Sequence, residues 1–324
     1  MKRRTKIIAT IGPSCSTEKK ILKLVNAGVN CFRINLSHGT YDEKKNFFDL
    51  VKSIKAPSGL RPTILADLAG PKIRVSRLKE RVDLNEGDEV IISNDQEGKN
   101  VIPVSEGIKF QKVEDGAKIL INDGLISLKV IKQVSEGSLL CETIVPGIVE
   151  NRKGVNFPKV ALNIPTLTDQ DEKDLELSLK NGADWIALSF VRSENDFSIV
   201  RSKIKGLGYN IPIMAKIEKW EAVKSMDKII ETFDAVMVAR GDLGVEVPGE
   251  KVPIIQKKII EKAGQAGKPV VIATQLLDSM IERPVPTRAE ISDIANSILD
   301  GADALMVTGE TAIGKHPIKV IKVL

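Results

Sequence analysis

The sequence predicts an α/β fold, namely a (β/α)8 barrel of the TIM-barrel type with a small antiparallel β-barrel domain inserted after strand 3. Three observations lead to this prediction. Eight short apolar runs recur along the 324 residues, segments with helical spacing of apolar residues lie between them, and one long stretch lacks that spacing. Buried parallel strands that alternate with amphipathic helices are typical of a closed barrel.

The eight apolar runs are the predicted barrel strands, and each is five or six residues long. They are Lys6 to Ile11, Cys31 to Asn35, Thr63 to Asp67, Trp185 to Phe190, Pro212 to Ile217, Ala235 to Ala239, Val270 to Thr274 and Ala304 to Thr308. Predicted helices between them include Glu18 to Val25, Asp171 to Leu179, Ile254 to Ala263 and Ile291 to Leu299. An open doubly wound sheet fits less well, because no Gly-x-Gly-x-x-Gly motif follows any run.

The stretch from about Arg74 to Asn156 interrupts this alternation and has the pattern of β structure. Its β-rich runs are Glu89 to Ile92, Lys118 to Ile121, Ile126 to Ile131 and Ser138 to Val145, with turn sequences between them. We therefore assign residues 74–156 to an inserted β lid domain, and residues 1–73 and 157–324 to the barrel domain. A functional insertion is favoured over a purely stabilising one, because large insertions at the catalytic end of a barrel usually serve function.

Composition limits the chemistry of the protein. Two histidines cannot form a three-histidine zinc site. The cysteines Cys15, Cys31 and Cys141 fit neither a disulfide framework nor a metal clamp, which favours a reducing compartment and hence the cytoplasm. A net charge of +5 and 4% aromatic residues favour small anionic substrates over nucleic acid. No apolar run is long enough to span a membrane.

Charged and polar residues stand at the carboxyl ends of six predicted strands. In chain order they are Arg33, Asn35, Ser37, Asp67, Lys216, Glu218, Arg240, Asp242, Thr274, Thr308 and Glu310. Enzymes with this fold place their catalytic groups at these strand ends, whereas the barrel interior favours branched apolar side chains. We therefore expect the side chains to converge on one site at the mouth of the barrel.

Glu218 and Asp242 are the candidate metal ligands. Oxygen ligands from neighbouring strand ends, with no histidine or thiolate at hand, suit a hard divalent cation such as Mg²⁺ or Mn²⁺. An isolated Lys-x-Glu would more often be a surface ion pair worth less than ~1 kcal/mol. The presence of Asp242 on the adjacent predicted strand favours the metal site.

These residues, together with their neighbours, resemble the pyruvate kinase family along essentially the whole chain. The matching blocks are Arg33-Ile-Asn-Leu-Ser-His-Gly39, Asp67-x-x-Gly70-Pro71-x-Ile73-Arg74, Asn122-Asp123-Gly124, Met214-Ala-Lys-Ile-Glu218, Met237 to Glu246, Ala273-Thr-Gln-x-x-x-Ser-Met280, Pro286-Thr-Arg-Ala-Glu290 and Gly309-Glu-Thr-Ala312. The resemblance implies a mobile β lid over the active site. It also implies transfer of the phosphoryl group of phosphoenolpyruvate to ADP, the last step of glycolysis.

The resemblance also assigns roles to individual residues. It implies that Lys216, Thr274 and Arg33 are catalytic, that Lys216, Gly241, Asp242, Thr274, Ser189, Arg33 and Ala239 bind the substrate, that Glu218 and Asp242 hold Mg²⁺ or Mn²⁺, and that Arg74, Lys153, Asn35 and Asp123 contact the nucleotide. Lys216 would stabilise the enolate that remains after phosphoryl transfer. Thr274 would support its protonation through water, because a hydroxyl is too weak an acid to act alone.

The sequence departs from the family pattern at the monovalent-cation pocket. Potassium-requiring members use groups that match Asn35, Ser37 and Asp67, with a threonine after the aspartate and a nearby glutamate. Here Leu68 and Lys72 stand at those two positions. We expect the Lys72 ammonium to take the place of K⁺ beside Asp67, so that K⁺ is not required. An exposed hinge lysine that points into water is the alternative interpretation.

Family members usually continue beyond the barrel into a further α/β domain that holds an effector site, and these residues contain no counterpart of it. We expect a homo-oligomer that associates through the barrel helices.

Two other functions fit parts of the pattern. A Mg²⁺-dependent lyase or mutase of the related phosphoenolpyruvate/pyruvate barrels would also use paired carboxylates and an enolate. A barrel retained as an effector-binding or scaffold protein is the non-enzymatic alternative. The large β insertion and the pair Lys216 and Thr274 favour the kinase over both.

Overall fold

The computed structural model describes residues 3–55, 59–96, 98, 100–105 and 108–324. The chain begins with three barrel strands separated by two helices. These elements are β1 (Lys6–Thr10), α1 (Glu18–Ala27), β2 (Cys31–Asn35), α2 (Tyr41–Ser53) and β3 (Thr63–Asp67).

The inserted region follows β3 and is built from short strands. These are β4 (Val82–Leu84), β5 (Glu89–Ser93), β6 (Val101–Pro103), β7 (Lys118–Ile121), β8 (Ile126–Ser135), β9 (Ser138–Val145), β10 (Gly147–Val149) and β11 (Val155–Asn156). One sheet has the order β11-β7-β8-β9-β5-β6, and β10 pairs with β4. The predicted inserted β domain is present, but its larger sheet is mixed rather than purely antiparallel, because β6 runs parallel to β5.

The rest of the chain completes the barrel. Its strands are β12 (Trp185–Leu188), β13 (Ile213–Ile217), β14 (Ala235–Ala239), β15 (Val270–Ala273) and β16 (Ala304–Val307). The eight parallel strands close in the order β1-β16-β15-β14-β13-β12-β3-β2. This order confirms the predicted (β/α)8 barrel.

Helices follow the barrel strands on the outside. In this part of the chain they are α3 (Asp169–Lys180), α4 (Asn195–Gly206), α5 (Trp220–Lys224), α6 (Met226–Thr232), α7 (Arg240–Glu246), α8 (Val252–Gln265), α9 (Arg288–Leu299), α10 (Gly309–Ala312) and α11 (Pro317–Val323). Helices α2, α3 and α9 begin with capping boxes, in which a threonine hydroxyl and an acidic side chain satisfy amides of the first turn. Across the described residues, no helix is both long and apolar enough to cross a bilayer.

Side chains alternate between two faces of each barrel strand. Ile8, Cys31, Leu65, Ala187 and Met214 belong to one buried cluster with apolar residues of the other barrel strands, which is the filling of the barrel. Their sequence neighbours belong to the larger cluster between the strands and the helices. This period of two fixes which residues point into the barrel when the strands reach its mouth.

Four predicted strands end one or two residues earlier than expected, namely β1 at Thr10, β12 at Leu188, β15 at Ala273 and β16 at Val307. Strand β12 ends before Phe190 and β15 ends before Thr274. Both residues have a left-handed backbone, with φ of 55° and 67°, so the chain turns out of the sheet there.

Two segments of the chain connect the barrel with the insert. They pair with each other through an antiparallel bridge between Arg74 and Gly154. The predicted domain boundaries at 73/74 and 156/157 remain predictions.

Candidate active site at the barrel mouth

The polar residues of the mouth continue the inward-facing rows of the strands. Each lies two positions after a residue of the barrel filling: Thr10 after Ile8, Arg33 after Cys31, Asp67 after Leu65, Ser189 after Ala187 and Lys216 after Met214. Because the strands are parallel and in register, these five side chains meet at the carboxyl end of the barrel. The convergence predicted from the strand ends is therefore present for Arg33, Asp67 and Lys216, and the structure adds Thr10 and Ser189, which the strand-end pattern did not include.

Lys216 is at the centre of the site and contacts three side chains. Its Nζ donates to Ser189 Oγ at 2.8 Å and lies 3.2 Å from Asp67 Oδ1 and 3.0 Å from Glu218 Oε1. Burial by itself would lower the pKa of Lys216, but the carboxylates of Asp67 and Glu218 outweigh burial and raise this pKa above its usual value. Lys216 is therefore a fixed, buried cation.

Asp67 is the buried anion that holds the two cations of the site. Its Oδ2 accepts from Arg33 Nε at 2.6 Å, and its Oδ1 faces Lys216. Burial would raise the pKa of Asp67, but Lys216 and Arg33 more than compensate and lower it. Arg33 also donates to Thr10 Oγ1 at 3.3 Å, so the guanidinium is held from two sides.

Ser189 joins Lys216 to the loop after β3. Its hydroxyl donates to the carbonyl oxygen of Leu68 at 2.7 Å. Gly70 makes this approach possible, because a Cβ there would lie 2.9 Å from both Ser189 Cβ and the Phe190 ring, and its φ is +69°. The chain therefore passes tightly over Ser189 as it leaves for the insert.

Glu218 has one carboxylate oxygen without a hydrogen-bond partner. It is fully buried, and its Oε2 accepts from the Phe190 amide at 2.8 Å. Its Oε1 forms a 3.0 Å ion pair with Lys216 and has no hydrogen-bond partner among the described groups. Burial raises the pKa of Glu218, and the nearby Asp242 raises it further, although Lys216 opposes both. A further cation beside Glu218 would stabilise its charged form.

Lys72 has a different partner from the predicted one. Its Nζ donates to Asp242 Oδ1 at 2.7 Å, whereas Asp67 is paired with Arg33 and Lys216. The predicted position of the Lys72 ammonium beside Asp67 is therefore wrong in this structure. The reason is electrostatic: Asp67 is buried between two cations already, while Asp242 is 28% exposed and within reach of the lysine.

The rest of the predicted monovalent-cation pocket is held by local contacts. Asn35 Oδ1 accepts from the Ser37 amide at 3.2 Å, and the Ser37 side chain is exposed. Leu68 is buried and offers only its carbonyl oxygen, which Ser189 already uses.

Thr274 bonds to the turn that carries the predicted substrate ligands. Its Oγ1 accepts from the Gly241 amide at 2.9 Å. Gly241 lies two residues after Ala239, the buried last residue of β14, and belongs with Asp242 to the first turn of α7. The structure thus brings together the residues predicted to bind substrate on β14 and β15, and one of the predicted amide donors is bound to Thr274.

The strand-end pattern predicted that Arg240 lies at the site. It did not predict the partners of the Arg240 side chain. Its guanidinium donates to the carbonyl oxygens of Thr274, at 3.1 and 2.7 Å, and of Gln275, at 2.8 Å, and pairs with Asp293 at 2.6 Å. Thr274 and Gln275 both have left-handed backbones, with φ of 67° and 53°. Such a conformation is strained for a β-branched residue, and Arg240 holds it in place.

Glu310, also at a predicted strand end, holds loops together. Its Oε1 accepts from the Leu277 amide at 3.1 Å and its Oε2 from the Thr308 amide at 2.7 Å. Burial raises the pKa of Glu310. Its contacts are those of a structural carboxylate between the loops after β15 and β16.

The insert faces the mouth across a cleft of about 650 Å³. Asp123, in the left-handed turn between β7 and β8, lines this cleft together with Asp242 and Lys72. Arg74 instead donates to the Arg152 carbonyl at 3.0 Å, and Lys153 pairs with Glu150 at 3.1 Å. Of the predicted nucleotide residues on the insert, Asp123 is therefore the one that lines the same cleft as Asp242, a predicted metal ligand.

A buried hydrogen bond that the sequence did not predict joins the insert to the barrel. Asn156, in β11, donates through Nδ2 to Glu246 Oε1 at 2.9 Å, and Lys219 pairs with the same oxygen at 2.7 Å. Glu246 is buried and ends α7, the helix that begins with Arg240, Gly241 and Asp242.

Comparison with known proteins supports the family assignment that the sequence motifs predict. A family model described as "Pyruvate kinase, barrel domain" matches residues 2–321. The chain is 43% identical to "Pyruvate kinase 2" of Synechocystis sp., with 99% of the chain and 56% of that protein covered. It is 44% identical to "Pyruvate kinase" of Corynebacterium efficiens, with 100% of the chain and 69% of that protein covered. It is 42% identical to "Pyruvate kinase" of Thermotoga maritima, with 99% and 70% covered.

The chain thus spans little more than half the length of the first of these relatives and about 70% of the other two. The similarity extends over nearly all of the described barrel, including the strand ends that form the mouth. From this match and the fold, the chain belongs to the pyruvate kinase family.

Proposed function

We propose that the protein transfers the phosphoryl group of phosphoenolpyruvate to ADP and yields pyruvate and ATP. The observation that carries this proposal is the arrangement at the barrel mouth, where Arg33 and Lys216 share Asp67, Lys216 lies 3.0 Å from Glu218, and Asp242 lies near Glu218. Phosphoryl transfer requires positioned positive charge around a group whose negative charge spreads over its oxygens. Family membership supports the same reaction.

The two carboxylates suit a divalent cation. Glu218 Oε1 lacks a hydrogen-bond partner among the described residues, and Asp242 is partly exposed beside it. Within the described ranges, no group of three or more histidine, cysteine or acidic side chains could hold a metal. A site with two carboxylates, which leaves the other positions to water and phosphate, is what Mg²⁺ prefers and Mn²⁺ tolerates. When bound, this ion would neutralise charge on the phosphoryl oxygens.

Each residue of the site then has its own role in the reaction. Arg33 and Lys216 orient the phosphoryl group, and Lys216 stabilises the enolate that forms when the P–O bond breaks. The substrate carboxylate lies against the turn at Ala239, Gly241 and Asp242. Ser189 keeps the Lys216 ammonium directed to this point, since it accepts one of its hydrogen bonds.

Pyruvate release in an assay coupled to lactate dehydrogenase tests the proposed function. We expect release that depends on phosphoenolpyruvate, on ADP and on Mg²⁺ or Mn²⁺. Release without ADP would indicate a lyase instead, and no turnover of phosphoenolpyruvate under any of these conditions would contradict an enzymatic role.

Thr274→Val is expected to impair protonation of the enolate more than phosphoryl transfer. The valine keeps the volume of the side chain but cannot accept from the Gly241 amide or hold a water molecule for the proton. Proton exchange of pyruvate with solvent should fall more than ATP formation from phosphoenolpyruvate and ADP, because phosphoryl transfer precedes protonation and released enolpyruvate can be protonated in solution. Equal losses in the two reactions would contradict this role.

We propose that activity does not require K⁺. Leu68 supplies no side-chain oxygen, and Asp67 is already neutralised by Arg33 and Lys216. Turnover in K⁺ and in tetramethylammonium at equal ionic strength should agree. A many-fold increase in K⁺ would refute the proposal, and Lys72→Glu with Leu68→Thr should create dependence.

The nucleotide, the assembly and the compartment are part of the same proposal. We propose that Asp123, Arg74, Lys153 and Asn35 contact ADP when the insert closes.

Exposed apolar side chains on α8 and α9, among them Ile254, Ile291 and Leu299, support a homo-oligomer that associates through barrel helices. The cysteines are free and buried, which supports the cytoplasm as the location.

A further inference from the structure

One of the two proposed metal ligands already holds a cation that belongs to the chain. The Lys72 ammonium lies 2.7 Å from Asp242 Oδ1, and the two side chains are 22% and 28% exposed. Asp242 shares its neighbourhood with Glu218, whose Oε1 has no hydrogen-bond partner among the described groups. Without a metal, each of the two carboxylates therefore has a lysine beside it: Lys72 pairs with Asp242, and Lys216 lies 3.0 Å from Glu218 Oε1.

The lysine is held at this position by its surroundings. A Cβ on Gly154 would fall 3.0 Å from Lys72 Cε, so the absence of a side chain at Gly154 leaves room for the lysine stem. The ammonium is also 5.9 Å from the centre of the Phe190 ring, and the Phe190 amide donates to Glu218. Lys72 thus lies between the returning strand of the insert and the metal residues.

An ammonium and a divalent cation cannot both sit against one carboxylate without strong like-charge repulsion. We infer that Lys72 competes with the divalent cation for Asp242 and lowers the metal affinity of the substrate-free site. This inference rests on the proposed metal site at Glu218 and Asp242. Binding of the metal requires the ammonium to leave Asp242, so the occupancy of the site depends on a residue of the hinge region.

The opposite role is physically reasonable and has the opposite sign. Lys72 could orient Asp242 for the metal, in which case its removal would weaken metal binding. Competition predicts that removal strengthens binding, because the apparent affinity of a site equals its intrinsic affinity multiplied by the fraction of molecules in which the site is free. The direction of the change separates the two roles.

Binding of Mn²⁺ to the full chain without substrates, followed by the electron paramagnetic resonance signal of free Mn²⁺, measures this affinity directly. If the ammonium occupies Asp242 about 90% of the time or more, Lys72→Met should bind Mn²⁺ at least about tenfold more tightly than the original chain. Lys159→Met is the matched control, since Lys159 is an exposed lysine that lines the adjoining cleft. It should change affinity much less.

Asp242→Asn completes the test. In that background Lys72→Met should no longer strengthen Mn²⁺ binding, because the shared partner is gone. Lys72→Gln, which keeps a polar stem against Gly154, gives the same comparison if the methionine variant does not fold. Equal affinities of the Lys72 and Lys159 variants, or weaker binding without Lys72, would overturn the inference. Mn²⁺ binding that is absent, or indifferent to Asp242→Asn, would overturn the proposed metal site itself.

Discussion

Lys216→Met is expected to lower the rate of pyruvate formation by ~10² to 10⁵, the range found when a preorganised cation or donor is removed from such a site. Methionine has a similar length but no charge, so it leaves the phosphoryl group and the enolate without their buried partner. It also leaves Glu218 without a nearby cation, while Asp67 keeps Arg33. The rate at saturating substrate is the quantity to measure.

The control for this variant is Lys257→Met, which removes an exposed lysine that pairs with Asp300 on the outside of the barrel. It should leave turnover unchanged. Thermal unfolding followed by circular dichroism must accompany both variants, because loss of one partner from a buried ion pair destabilises proteins by ~3–5 kcal/mol. A folded Lys216→Met protein that loses less than about tenfold in rate would show that Lys216 has no catalytic role.

Arg240→Met is expected to lower turnover by at least ~100-fold, although its side chain is directed at backbone carbonyl groups rather than at the proposed substrate position. Left-handed residues such as Thr274 and Gln275 cost ~1–3 kcal/mol each, and they persist only where the surroundings enforce them. Without the guanidinium the loop relaxes and carries Thr274 Oγ1 away from Gly241. A displacement of about 1 Å is enough for a loss of this size.

Arg240→Lys and Asp293→Asn separate the two functions of this side chain. The lysine can keep the ion pair with Asp293 but cannot donate to two carbonyl groups at once, so it should lose most of the activity. The asparagine keeps the bonds from Arg240 to the loop and should have a mild effect. If Asp293→Asn were the more damaging variant, the ion pair would matter and the loop geometry would not.

The inner part of the site could be predicted from the sequence because it follows a simple rule. A residue two positions after a buried strand residue lies on the same face, and parallel strands in register bring such residues together. Arg33, Asp67 and Lys216 follow this rule, and they meet as expected. The eight apolar runs gave the strands themselves to within two residues at either end.

The partner of Lys72 and the backbone at Thr274 could not be predicted in this way. Lys72 lies in a loop, where no period fixes direction, and its long stem reaches several carboxylates. Its partner depends on which of them has been neutralised by other cations. A left-handed threonine contradicts local preference, so only the contacts with Arg240, which lies far away in sequence, account for it.

The hydrogen bond between Asn156 and Glu246 bears on how this protein can be recombined with its relatives. The insert looks exchangeable as a unit, because the chain enters and leaves it next to the bridge between Arg74 and Gly154. Yet its last strand is fastened by a buried amide to the helix that begins at Arg240 and carries Asp242. Glu246 has a second oxygen with no hydrogen-bond partner among the described groups, so a donor sequence without the asparagine would leave a poorly satisfied carboxylate in the core. Chimaeras should therefore exchange positions 156 and 246 as a pair.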